Sequence, residues 1–399
     1  MLNETTASLY EEMRNYTRGT EISTPMLMLS EIMLRYAMEN RIGLVLDRNF
    51  ELYIQMARNL ENPYHLYERK ELEEFLDAID SALEKEGYGK ISDMITLLPF
   101  MYEEKENRRF KDLLGSKAFR TTYENFLKED FKDSRNISSL LYTLSYQARK
   151  DLRDERSYSL GTLLSKALKL DEESIVKDEL SCSELMLSSI AISTGARTLT
   201  ENDNLMTRML SPLSRKTGKI EEGEKTTLLL TDELPENLDE ALEENARIAY
   251  FAPSALLLSS SGENLEIREK LIEGKYIESV IVLPPLTAAA SENTSIVILS
   301  SAEKDKISFA DLNSKSRDRN YFRDNQLTET SMEVIEKLLT EDVETEDISR
   351  NVSYEEVKYR KILVPMNYLE TRIEVQEDTE ELEKRIEELY GKLAALMEL

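Results

Sequence analysis

The chain has 399 residues, 41% hydrophobic and 32% charged, with a formal net charge of −27; this is enough for a large core and more than one folding unit. No apolar run approaches the roughly 20 residues that span a bilayer, and the opening MLNETTASLYEEM lacks the basic-then-apolar layout of a signal peptide. One cysteine, Cys182, and one histidine, His65, exclude an internal disulfide and a Cys/His metal cluster, and point to the reducing cytoplasm.

The acid excess argues against a protein that grips nucleic acid alone over a broad surface, because binding a polyanion relies on Lys and Arg displacing counterions. A local basic patch or a basic partner leaves DNA contact open. Glycine is scarce, 12 residues, and nucleotide-binding loops of wound α/β folds depend on it.

Residues 1–170 read as helix upon helix, a helical N-terminal domain. Met26, Leu29, Ile32, Met33, Tyr36 and Ala37 recur at helical spacing after Ser23, Thr24 and Pro25, a cap and first turn. Similar stretches run over Lys70–Lys85, Ile91–Tyr102, Ala118–Phe131 and Ile137–Arg153.

From about Glu173 short β-rich runs alternate with amphipathic stretches. The runs are Ser174–Lys177, Arg197–Thr200, Thr226–Leu230, Arg247–Ala252, Ile277–Leu283 and Ser295–Ser300, with Asp203–Ser211, Pro235–Asn245 and Leu265–Glu273 as helices. This predicts a wound α/β sheet over residues 171–330. The segment SIVILSSAEKDKISFADL reads as two strands around a polar turn, an antiparallel pair closing one edge.

After Ser331 the sequence turns helical and acidic, giving a C-terminal region over 331–399. Its last stretch places Leu382, Ile386, Leu389, Leu393 and Leu396 on a 4-3-4-3 seam. Two heptads are short for an independent coiled coil, and suit either a helix packed on its own domain or one that docks on another subunit.

The stretch from Arg247 to Leu369 resembles the later half of the catalytic domain of the modification subunits of type I restriction systems. In order come Pro253 to Leu256, a "P-(any)-(any)-L" turn; Ile267 to Glu273, an I-R-(any)-(any)-L-I-E-like helix; Val280 to Pro284; and the run Ile296 to Ser300. ISFADLNS, RNYFRDNQLTETSMEVIEKLL and DISRNVSYEEVKYRKILVPMNYL continue the similarity in the family's order and spacing. The opening NYTRGTEISTPMLMLSEIMLRYAMENR is similar in layout to its first helices.

The resemblance implies a Rossmann-like class I methyltransferase fold and an N6-adenine DNA methyltransferase that uses S-adenosylmethionine. It also implies where the cofactor and base should sit. In the family's cofactor loop, Asp178, Cys182 and Ser183 fall where the pattern puts Asp, Cys and Ser. Glu179 stands for proline, Ser181 for a small residue, and Glu184 and Leu185 for glycines that let backbone amides approach the cofactor, with Leu180 adding bulk. Glu201, after the second strand, stands where an acid would accept hydrogen bonds from the ribose.

The family's active-site loop, (Asn or Asp)-Pro-Pro-(Phe or Tyr), holds and stacks a flipped adenine. Here Thr231, Asp232, Glu233 and Leu234 take its place, without the prolines or the aromatic. Leu283–Leu286 contains Pro-Pro but belongs to the later element.

The motifs therefore read as vestigial: no catalytic residue and no cofactor expected, with an active S-adenosylmethionine-dependent adenine methyltransferase as the alternative. Asp178, Ser181, Ser183 and Glu201 are the vestigial cofactor residues. Lys304, Lys306, Lys315, Arg317 and Arg319, near Tyr321 and Phe322, are the candidates for nucleic-acid contact, with Arg108, Arg109 and Lys111 as a second cluster.

The reading is a subunit of a restriction-modification or related phage-defence complex. It would meet a specificity or catalytic methyltransferase subunit through the C-terminal helix, and DNA within the complex. A decoy that occupies a modification subunit's partner is a third possibility. His65 has no neighbour suggesting a nucleophile pair, and Cys182 reads as a small buried apolar residue.

Overall fold

The structure is a computed structural model that describes residues 4–18, 23–37, 39–40, 69–85, 90, 116–148, 156–200, 224–286, 294–302, 304–323 and 326–369. The expected helices Ile91–Tyr102 and Asp203–Ser211, the heptad seam Leu382–Leu396, and Glu201, His65, Arg108, Arg109 and Lys111 lie outside these residues.

Helices come first: α1 (Glu4–Thr17), α2 (Thr24–Ala37), α3 (Arg69–Lys85), α4 (Lys117–Phe126), α5 (Ser134–Gln147) and α6 (Tyr158–Ala167). Of the expected helices here, α4 is the shortest against its reading. It stops at Phe126 rather than running to Phe131, and α5 starts at Ser134 because Asp133 caps it, its carboxylate accepting from the Arg135 amide at 2.8 Å. Tyr123 of α4 joins α2, taking a 2.6 Å bond from Arg35 and donating to Glu31 at 3.2 Å.

The remainder alternates: β1 (Ile175–Asp178), α7 (Glu184–Thr194), β2 (Arg197–Thr200), β3 (Thr226–Thr231), α8 (Leu238–Glu244), β4 (Asn245–Ala252), α9 (Ser254–Leu258), α10 (Glu263–Glu273), β5 (Ile277–Leu283), β6 (Thr294–Ser300), β7 (Lys306–Asp311), β8 (Phe322–Arg323), β9 (Gln326–Leu327), α11 (Glu329–Glu341), β10 (Ser349–Ser353), α12 (Tyr354–Arg360) and α13 (Met366–Leu369). Eight strands form one sheet in the order β10-β7-β5-β6-β4-β3-β1-β2. β1, β2, β3, β4, β5 and β7 run one way, and β6 and β10 run the other. This is the mixed, mostly parallel α/β sheet the sequence predicts.

Alternating side chains divide the core into two layers. Leu228 and Leu230 of β3, Phe251 of β4 and Ile296 and Ile298 of β6 pack with α6, α7 and α11 on one face. Leu229, Ile248, Val297 and Phe309 pack with α8, α9, α10, α12 and α13 on the other. Helices on both faces explain why the central strands are apolar throughout rather than alternating. Helix α7 is buried from Glu184 to Ile192, as a helix apolar on all sides must be. It ends at Gly195, whose φ of 75° suits a glycine C-cap. Helix α6 lies so close to α7 that a Cβ on Gly161 would sit 2.1 Å from the Met186 carbonyl oxygen.

Two expectations need correction. The strands of SIVILSSAEKDKISFADL form, as β6 and β7, but they do not pair with each other. β5 lies between them, antiparallel to β6 and parallel to β7. Ser295 through Ser300 are all buried, so β6 takes a central place between β4 and β5, where both faces and both edges are covered. The antiparallel edge pair is instead β7 with β10. The stretch after Ser331 is also not wholly helical, because Ser349–Ser353 is that edge strand.

Candidate functional site

The winding of the sheet reverses between β3 and β1: the chain passes from β1 outward to β2, then returns to β3 on the other side. In wound α/β sheets the crevice outside the carboxyl ends of the strands at such a switch point is where ligands bind. Four segments meet there: the loops after β1 and β3, the end of β4, and the residues that lead into α6.

Asp178 ends β1 with its side chain turned inward, 1% exposed. Its carboxylate accepts from Ser183 Oγ at 2.8 Å, Thr200 Oγ1 at 3.3 Å and the Leu180 amide at 3.4 Å. Burial pushes its pKa up to about 6; the three hydrogen bonds restrain that rise, and the neighbouring Glu184 carboxylate adds to it. Ser183 caps α7 by position, but its hydroxyl is spent on Asp178 rather than on the helix. Ser181 is exposed on the loop, outside this cluster.

The loop keeps a shape that glycine usually provides: Cys182 has a φ of 54°. Leu180, Glu184 and Leu185 are all buried at this end of the sheet. The backbone also ties this loop to β3, the Glu179 amide donating to the Leu230 carbonyl at 2.9 Å.

After β3, Thr231 is buried and folded back on its own turn, donating to the Glu233 carbonyl at 2.8 Å and accepting from its amide at 3.1 Å. Leu234 leans on the opposite core layer. Asp232 points toward Arg156, with 3.8 Å between carboxylate oxygen and guanidinium nitrogen. Tyr250, behind Asp232 on β4, has its pKa raised by burial and then by that carboxylate.

Arg156 carries no signal in the sequence, yet it links every segment of the crevice. Its amide donates to the Cys182 carbonyl at 2.9 Å, and its guanidinium carbon lies 4.5 Å from the centre of the Phe251 ring. The adjoining residues are fixed as well: Ser157 Oγ and the Ser159 amide both donate to Gln326 Oε1, at 2.6 and 3.1 Å, and the Leu327 amide donates to Ser159 Oγ at 3.0 Å. The small hairpin β8–β9 thereby anchors the start of α6.

The five basic candidates do not gather. Lys304 and Lys306 stand at the amino end of β7, whereas Lys315, Arg317 and Arg319 follow its carboxyl end, a strand length away. Lys304 is also engaged: with Arg247 it holds the buried carboxylate of Glu278, at 2.7 and 3.1 Å. Burial alone would raise the Glu278 pKa, but the two cations outweigh it and bring it below the ordinary range. Arg317 and Arg319 are exposed, and Lys315 is half-buried. Among the described residues no group of His, Cys, Asp and Glu is placed to hold a metal ion, and no helix is long and apolar enough to cross a membrane.

Residues 237–378 match the family model described as N-6 DNA Methylase. That segment of the chain is similar to N-6 DNA methylases. The match brackets the stretch from Arg247 to Leu369 in which the resemblance to type I modification subunits was read, and bears that resemblance out. It begins after Leu234, so the β1 and β3 loops precede it. The segment comprises α8 through α13 with β4 to β10.

Solved structures agree on the fold. A type I restriction-modification system methyltransferase subunit from Streptococcus thermophilus is 14% identical, with 91% of this chain and 99% of that chain covered and a TM-score of 0.54. A chain from a study of complex assembly and conformational transition of the type I R-M system is 13% identical, covering 99% of this chain and 97% of that one, with a TM-score of 0.51. No curated protein matches the chain.

Proposed function

We propose that the chain is a methyltransferase-like subunit of a restriction-modification or related phage-defence complex, keeping the shape of a modification subunit without transferring a methyl group. The N-6 DNA methylase segment supports the family, and the crowding of the switch-point crevice supports the loss of chemistry. That crowding is the single observation on which the reading rests. Leu180, Glu184 and Leu185 are buried where a cofactor loop needs bare backbone, and a carboxylate there would oppose the carboxylate of S-adenosylmethionine at short range. Asp178 spends its acceptors on Ser183, Thr200 and its own loop. The residues present do not fit the cofactor.

After β3, Thr231–Leu234 offers no proline-fixed carbonyl and no ring to stack on a base. In this reading residues 1–170 form a helical domain, 171–330 the methyltransferase-like domain and 331–399 the C-terminal region, whose first part adds β10 to the edge of the sheet and whose last part meets other subunits. The seam Leu382–Leu396 is the docking element for a specificity or catalytic methyltransferase subunit. DNA contact within the complex falls to Lys315, Arg317 and Arg319, on the same side of the sheet as the crevice.

Calorimetric titration of the purified chain with S-adenosylmethionine tests the proposal. No binding at millimolar cofactor agrees with it. Micromolar binding revives the alternative, an active adenine-N6 methyltransferase, and Asp178 and Glu201 become the first residues to change.

A further inference from the structure

The end of the sheet opposite the crevice holds a second hollow. A cavity of about 540 Å³ opens at the amino ends of β1, β3 and β4, where the carboxyl ends of α6 and α11 meet them. That volume suits a small molecule. The cavity plays no part in the proposed function, and a vestigial or a working crevice would leave it unchanged.

Its walls differ in chemistry. The strands present donors. Arg247 gives Nε and Nη2 to Glu278, at 3.1 and 3.4 Å, which leaves Nη1 uncommitted. Lys304 holds the same carboxylate at 2.7 Å, so the trio keeps one net positive charge. Thr227 Oγ1 accepts from the Ile175 amide at 3.0 Å, and its own proton remains to be donated.

The loop between α6 and β1 presents acids. Asp171 Oδ1 accepts from the Ser174 hydroxyl and the Glu173 amide, at 2.9 and 3.1 Å, and Oδ2 stays open. The exposed Glu173 carboxylate has no partner among the described residues. The two helix ends add to this negative side, because the last carbonyls of a helix favour a cation. Lys169, exposed on the same loop, supplies one further cation, and Leu168 and Leu339 supply apolar lining.

We infer that this cavity binds a small zwitterion, an α-amino acid with an apolar side chain. Arg247 and Thr227 take its carboxylate, Asp171 and Glu173 its ammonium, and Leu168 and Leu339 its side chain. A simple anion or a simple cation would satisfy one wall and leave the other unmatched.

Calorimetric titration of the full chain with L-leucine, isocaproate and isoamylamine tests the site. The two analogues keep the apolar branch and lack the amine or the carboxylate. Leucine should bind with a Kd of about 0.1 mM, and each analogue about tenfold more weakly. Glu173→Gln should weaken leucine about fivefold and leave isocaproate unchanged. Lys169→Asn should weaken both about threefold, asparagine being at ease with the φ of 52° there. Both side chains are exposed, so the fold is not at stake. No leucine binding at about 10 mM, an analogue that binds as well as leucine, or affinities within about twofold of wild type in both variants would each overturn the site.

Discussion

The Ser183 hydroxyl donates to Asp178 at 2.8 Å across the turn that joins β1 to α7, so a residue placed to cap a helix serves a buried acid instead. The acid remains poorly solvated, and its pKa rises from 3.8 to about 6. The folded state therefore keeps the proton over a range in which the unfolded chain has lost it, and stability falls as pH rises through roughly 4 to 6.

Asp178→Asn removes that titration. Relative to wild type, the variant should gain stability by about 2–3 kcal/mol on going from about pH 4 to about pH 7, since each pKa unit is worth about 1.4 kcal/mol. Urea denaturation of both proteins at the two pH values reads the difference. Parallel behaviour would mean that Asp178 titrates as an ordinary carboxyl.

Gly161→Ala sets two effects against each other. Helix propensity favours alanine by about 1 kcal/mol. The new Cβ, however, would meet the Met186 carbonyl oxygen and the Ser189 Cβ, at 2.1 and 2.8 Å, and overpacking of this kind costs about 1–3 kcal/mol or more. Because backbone is in the way, sterics win: the melting temperature should fall by several degrees, measured by circular dichroism.

Arg268 is 2% exposed and donates to the Leu256 and Ser259 carbonyls, closing the last turn of α9. Arg268→Met fills most of the volume but leaves those oxygens without the guanidinium. A loss of about 2–4 kcal/mol is expected in chemical denaturation.

Lys304 and Arg317 should behave differently. Lys304→Ala leaves Glu278 with Arg247 alone and should destabilise the chain by about 1–2 kcal/mol without altering DNA affinity. Changing Arg317 and Arg319 together to alanine should leave stability unchanged. It should weaken DNA binding by the assembled complex and lower its salt slope by about two phosphate contacts. Denaturation of the isolated chain and salt-dependent binding of the complex separate the two cases.

The legible parts of the fold are those fixed by local chemistry. Ile277–Leu283 is a strand over the expected residues because an apolar run bounded by polar turns has few other uses, and Arg197–Thr200 is one through its β-branched threonines. Ser349–Ser353 escaped notice because SRNVS is an edge strand with only Ser349 and Val352 buried. The pairing of β6 and β7 was misread because adjacency in sequence cannot reveal a third strand inserted between them. At the site, Asp178 and Ser183 were found through a family's spacing. Arg156 was invisible because what defines it is contact with Cys182, Asp232 and Phe251, which only the folded chain brings near.

The reversed strand β6 has a consequence for synthesis. It fills the gap between β4 and β5, both of which precede it in the chain. Until residue 300 has left the ribosome, two strands rich in apolar residues each keep a bare hydrogen-bonding edge, the kind of template on which neighbouring chains pair. A nascent chain paused before residue 294 would thus be a target for chaperones and an aggregation hazard, and β4 and β5 are joined only after both have been made.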